Sequence, residues 1–136
     1  MNDPPESQKY HILVLNNEPR ILELIRILLA KENYKVIVKE SIVEAVEYVK
    51  THNNTALAIS YHCEDMIKGS DFLQQIAIIS PNTVRYMTNC CLPQQILKQL
   101  IGDNTIQLHS KMPFSLNEVT KNVALGLQLY EKNIAK

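Results

Sequence analysis

Short, nearly unbroken apolar runs alternate along this chain with longer stretches whose apolar residues recur at helical spacing, and that alternation leaves few folds open. The first run, His11-Ile12-Leu13-Val14-Leu15, lacks the polar interruptions of a half-exposed strand and reads as one buried on both faces of a parallel sheet. Asn16 and Asn17 end it. Pro19 then sits near a first helical position, and Ile21, Leu24, Ile25 and Leu28 fall at i, i+3, i+4 and i+7. Tyr34 to Val38 supplies a second β-branched run, and Ser41 with Glu44 forms a capping box before the stripe of Ile42, Ala45, Val46 and Val49.

The pattern repeats three times more. Thr55 to Ser60 reads as a third strand, Tyr61 to Ser70 as a loop, and Asp71 to Ile79 as a helix closed by Pro81. Thr83 to Thr88 is β-rich, Leu92 to Ile101 is helical with Gly102 just past its end, and Thr105 to His109 reads as the fifth strand. Ser115 and Glu118 form another capping box, after which Leu116, Val119, Val123, Leu127 and Tyr130 trace one face of a long last helix. Five strands alternating with five helices predict a doubly wound α/β fold, because parallel strands need crossover connections.

The totals agree with one such domain. The 136 residues fit a single core, and 46% hydrophobic content can cover a sheet on both faces. Residues 1–9 are polar with Pro4 and Pro5 and are expected to form a flexible leader, the domain running over 10–136. Fourteen basic residues balance fourteen acidic ones, so neither nucleic acid nor an anionic membrane is an expected partner. No apolar run approaches the ~20 residues of a bilayer span. Three cysteines, two of them adjacent at Cys90 and Cys91, do not form a disulfide framework, and a reducing cytoplasmic setting is expected.

In a sheet of this kind ligands bind at the carboxyl ends of the strands. That edge gathers Asn16, Asn17, Glu18, Ser60 to Asp65, Thr88 to Cys91 and His109 to Pro113. At these residues the chain resembles the receiver domain of two-component response regulators, over His11 to about Tyr130. The segment His11-Ile-Leu-Val-Leu-Asn-Asn-Glu-Pro19 is similar to the family's first strand with its acidic pair, and Ser80-Pro-Asn-Thr-Val-Arg-Tyr-Met-Thr88 to its fourth strand ending in a hydroxyl. Lys111, with Pro113 and Phe114, resembles the motif after the fifth strand, with Met112 inserted. The resemblance implies a flavodoxin-like sheet of order 2-1-3-4-5 and a phosphoacceptor pocket at Asn16, Asn17, Ser60, Thr88 and Lys111.

That pocket departs from the family in its chemistry. Asn16 and Asn17 replace the acidic pair, and Ser60 replaces the aspartate that accepts the phosphoryl group. Neutral amides and a hydroxyl offer magnesium no charge compensation, and phosphoryl transfer depends almost wholly on positioning and electrostatics. A serine hydroxyl is a poor nucleophile without a base. The expectation is a degenerate receiver, neither enzyme nor metal or cofactor binder, that works in signal transduction through protein contacts independent of phosphorylation. Thr88 and Lys111 match retained family positions, Lys111 being free to bond Ser60, Asn17 or a backbone carbonyl, while Leu108 stands where the family carries its aromatic switch.

Two alternatives follow from other residues. His62, Cys63, Cys90, Cys91 and His109 share the same edge and suit a redox- or metal-responsive sensor, although no known zinc spacing is present. Glu64 or Asp65 would serve as a surrogate carboxylate for a still-active phosphoacceptor. For partners, the resemblance implies a signalling protein or output domain, or a homodimer through the face of the fourth helix, fifth strand and fifth helix. An enzyme or flavin carrier on this topology finds little support, because no glycine-rich phosphate loop follows the first strand and only three glycines exist.

Overall fold

The computed structural model describes residues 10–16, 23, 25–27, 29, 34–62, 68–89, 92–111 and 115–135. The strands are β1 (His11–Leu15), β2 (Lys35–Lys39), β3 (Thr55–His62), β4 (Val84–Asn89) and β5 (Leu108–Lys111). Helix α1 contributes described residues 23, 25–27 and 29. Helices α2 (Ile42–Thr51), α3 (Gly69–Ile79), α4 (Gln94–Gly102) and α5 (Leu116–Ile134) follow. All strand pairs are parallel and the order is β2-β1-β3-β4-β5, as expected from the sequence.

Each strand feeds both layers because successive side chains point to opposite faces. Ile12 and Val14 of β1 pack with Ile25, Leu29, Val119, Val123 and Tyr130, which places α1 and α5 on one side. Leu13 and Leu15 pack with Ala45, Val49, Phe72, Leu73, Ile76 and Leu100, which places α2, α3 and α4 on the other. Most of these side chains are fully buried, each worth roughly 1.5–3 kcal/mol relative to exposure. Gly126 lets α5 settle onto the sheet, since a Cβ there would lie 3.0 Å from Leu57 Cδ1 and 3.2 Å from Leu108 Cδ1.

Both expected N-caps form: Ser41 Oγ accepts from the Glu44 amide at 3.2 Å, and Ser115 Oγ from the Glu118 amide at 3.1 Å. Several boundaries differ from expectation. β3 continues two residues past Ser60, because Tyr61 and His62 pair with Thr88 and Asn89 of the extended β4. α3 begins at Gly69 and so takes up the end of the expected loop. α4 starts at Gln94, after Pro93 in extended backbone, and Gly102 is its last residue. β5 begins at Leu108: the amides of Thr105 and Ile106 turn back to the Leu100 carbonyl and so are not available to a ladder.

Candidate functional site

The carboxyl end of the sheet brings the expected pocket residues onto neighbouring strands. Asn16 follows Leu15, which is in register with Ser60, and Tyr61 is in register with Thr88. Thr88 is in register with Ser110 and Asn89 with Lys111. Asn16, Ser60 and Thr88 are all buried. Ser60 is 0% exposed, and its Oγ donates to the neighbouring Tyr61 carbonyl at 3.1 Å. The first turn of α3 covers it: a Cβ on Gly69 would stand 2.7 Å from Ser60 Oγ and 2.5 Å from the Tyr61 carbonyl oxygen. Only a residue without a side chain permits that approach. Lys111, in contrast, is exposed, and the Ser60 hydroxyl donates to the Tyr61 carbonyl.

Behind Thr88 lies a polar connection that sequence reading did not anticipate. The Tyr86 hydroxyl, fully buried, shares a 2.6 Å hydrogen bond with Ser110 Oγ. Asn122 Nδ2 donates to both oxygens, at 3.2 Å and 3.1 Å. The triad ties β4, β5 and α5 together. Burial holds the Tyr86 phenol above its ordinary pKa, so it stays neutral. The only sequence signal was a tyrosine in a central strand, whose hydroxyl must find a partner.

The opposite end of the sheet is polar as well. Arg85, 4% exposed, lies in β4 beside the ends of α3 and α4. Its Nε donates to the Thr105 carbonyl at 2.8 Å, Nη1 to Thr83 at 2.7 Å and Pro81 at 3.3 Å, and Nη2 to Asn104 at 3.0 Å. Asn104 has a φ of 63°, a left-handed turn residue that aims its carbonyl at this cation. At the foot of β1, the His11 ring is hydrogen-bonded through Nδ1 to the Tyr48 hydroxyl, and His52 stacks on Tyr48 at 3.9 Å.

Two histidines set the acid response of this framework. Burial, then His52 and Lys35, pushes the His11 pKa below its ordinary value, and burial lowers His109, with Lys111 adding to it and Glu118 opposing. In the unfolded chain both rings recover their ordinary pKa near 6.5. The unfolded state therefore binds more protons as pH falls through that value, and stability declines below it. Denaturation midpoints measured from pH 7.5 to 5.5 should fall, and the fall should shrink in His109→Phe.

Asn17, Glu18, Cys63, Glu64, Asp65, Cys90 and Cys91 lie outside the described residues, as does the side chain of His62. Among the described residues no group of three His, Cys, Asp or Glu side chains is placed to hold a metal. No described helix is long and apolar enough to cross a membrane.

Neither a family model nor a curated protein matches the sequence. Solved structures do. An adenylate cyclase structure from Rhodopirellula baltica superimposes with a TM-score of 0.86 at 16% identity, over 94% of this chain and 93% of that one. The signal receiver domain of an HD domain-containing protein from Pseudomonas fluorescens gives 0.84 at 18%, over 100% and 99%. A response regulator receiver domain from Clostridium thermocellum gives 0.79 at 18%, over 93% and 99%. The chain has the receiver fold. The receiver strand order and the alternating helices were both expected from the sequence, and the superpositions extend over the whole domain.

Proposed function

We propose that this chain is a receiver-type module of a signalling system that acts by docking to another protein and is not switched by phosphorylation. The observation that carries this reading is the state of Ser60. Its hydroxyl is fully buried, bonded to the adjacent carbonyl and covered by Gly69. A phosphoryl donor and an in-line attack both require open space at that atom, and a divalent ion requires anionic oxygen, which Asn16 and Ser60 do not supply. The module carries no catalysis of its own and acts in the cytoplasm. Its docking face is the one made by α4, β5 and α5; Ile96 and Ile101 of α4 and Leu125 of α5 are exposed apolar residues of these helices. Another signalling protein, an output domain or a second copy would use the same apolar contacts.

The test is an amide spectrum of the full chain with magnesium and beryllofluoride. No change is expected at Ser60, Tyr61, Gly69 or Thr88. Defined shifts there would overturn the proposal and favour a pocket that uses Glu64 or Asp65 as its carboxylate.

A further inference from the structure

The amino end of β1 gathers titratable side chains that the Ser60 edge does not use. The Tyr48 hydroxyl of α2 is hydrogen-bonded to His11 Nδ1, and the His52 ring lies flat on the Tyr48 ring, with 3.9 Å between centroids and 7° between planes. The two imidazoles are 5.8 Å apart. His52 Nδ1 stands 2.9 Å from the Tyr48 carbonyl, which only accepts, so that nitrogen carries a proton.

The charged groups around the cluster are mostly positive. Lys35 of β2 is in register with His11, and Lys39 Nζ lies 5.8 Å from the centre of the Tyr48 ring. Glu44 and Glu47 of α2 line a groove with Lys39 and Tyr48, but no carboxylate bonds either imidazole among the described residues. From β3, the residue in register with His11 is the neutral Thr55.

The cluster also holds the turn between α2 and β3. The His52 amide closes α2 on the Val49 carbonyl at 3.3 Å, Thr55 Oγ1 donates to the His52 carbonyl at 3.0 Å, and the His11 amide donates to the Asn54 carbonyl at 3.0 Å. Beside His11 the ladder to β3 slips: His11 pairs with Thr55 and Ile12 with Leu57, which leaves Ala56 out of register. A bulge interrupts the ladder locally, so this foot can open while Ile12 to Leu15 stay paired.

We infer that His11, Tyr48 and His52 form an acid-sensitive clasp, which holds the turn at residues 52–54 while the imidazoles are neutral and releases it when both are protonated. Imidazoles take up protons between about pH 5 and 8. Two charged rings 5.8 Å apart, with Lys35 beside them, repel one another within the Debye length of roughly 8 Å at physiological salt. His11 is fixed in the strand, so His52 leaves Tyr48 and carries the turn toward water. Burial, then His52 and Lys35, already holds His11 below its ordinary pKa. The open state therefore binds more protons, and acid favours it. Nothing is required of Ser60, at the other end of the sheet.

The experiment is hydrogen exchange of the backbone amides of the full chain at pH 7.5 and 5.5, corrected for the intrinsic rate at each pH, with the His11 ring titrated alongside by its proton shifts. At pH 5.5 the protection of the His11 and His52 amides should fall about threefold or more beyond any fall at Leu13 and Val14, the factor by which two unit charges at 5.8 Å repel even at the dielectric of water. Lys35→Glu, at an exposed position, leaves both rings as buried as before. It should raise the His11 midpoint and keep the two amides protected in acid. Unchanged protection at His11 and His52, a fall shared in full by Leu13 and Val14, or a His11 midpoint or acid response in Lys35→Glu equal to the parent's would each overturn the clasp.

Discussion

Arg85→Met should lower stability by about 3 kcal/mol, with a fall in melting temperature on the order of 10 °C. The guanidinium is the common donor for two turns, accepting nothing and reaching Pro81 and Thr83 on one side and Asn104 and Thr105 on the other. Hydrogen bonds from a charged donor contribute about 1.5–3 kcal/mol each, and removal of the donor strands buried carbonyls. Relief of the charge's own desolvation, which also lowers the Arg85 pKa, offsets part of this loss. Arg85→Lys should fall between Met and the parent, because one ammonium cannot span four acceptors in two turns. Urea denaturation checks both; a loss under 1 kcal/mol for Met would show that water replaces the guanidinium without cost.

Restoring the acid in Ser60→Asp should not restore a phosphoacceptor, and at pH 7 should cost about 3 kcal/mol. The new carboxylate would be buried beneath Gly69, beside Asn16, in a space already filled by a hydroxyl. Burial would raise its pKa above the ordinary value near 3.9. The unfolded state then binds fewer protons over that interval, so stability is lost as pH rises through it and recovered on acidification. Magnesium should leave the melting temperature of this variant unchanged, since a ligand of the folded state would raise it. A rise with magnesium would show that the pocket keeps a metal site without its acidic pair.

The layer structure was legible because it rests on periodicity. Ile12 to Leu15, the Ala45, Val46 and Val49 stripe and the Val119 and Val123 stripe occupy the core their spacing requires. The boundaries that shifted are set by partners distant in sequence. Nothing local to Tyr61 and His62 says that β4 continues far enough to pair with them. Thr105 and Ile106 have strand-forming side chains, yet their amides finish the last turn of α4. Gly102 looked like the residue that ends that helix, whereas the left-handed turn falls at Asn104. In the pocket, the loss of charge could be read from residue types alone, but the covering of Ser60 by Gly69 depends on how α3 meets β3. Arg85 has no local mark beyond its place in a buried strand, although a cation in a parallel sheet is itself a sign that carbonyls must meet it.

The Tyr86, Ser110 and Asn122 triad has a mechanical consequence. The Tyr86 and Ser110 hydroxyls and the Asn122 amide nitrogen meet across three elements, and such a network stiffens what it joins. The long C-terminal helix cannot slide or lift without taking the Asn122 amide from the buried Tyr86 and Ser110 hydroxyls, so backbone protons along its middle turns will exchange with solvent only when the whole domain opens. Whatever reads this side of the protein therefore meets a fixed relief of side chains, and recognition there is a matter of shape already in place.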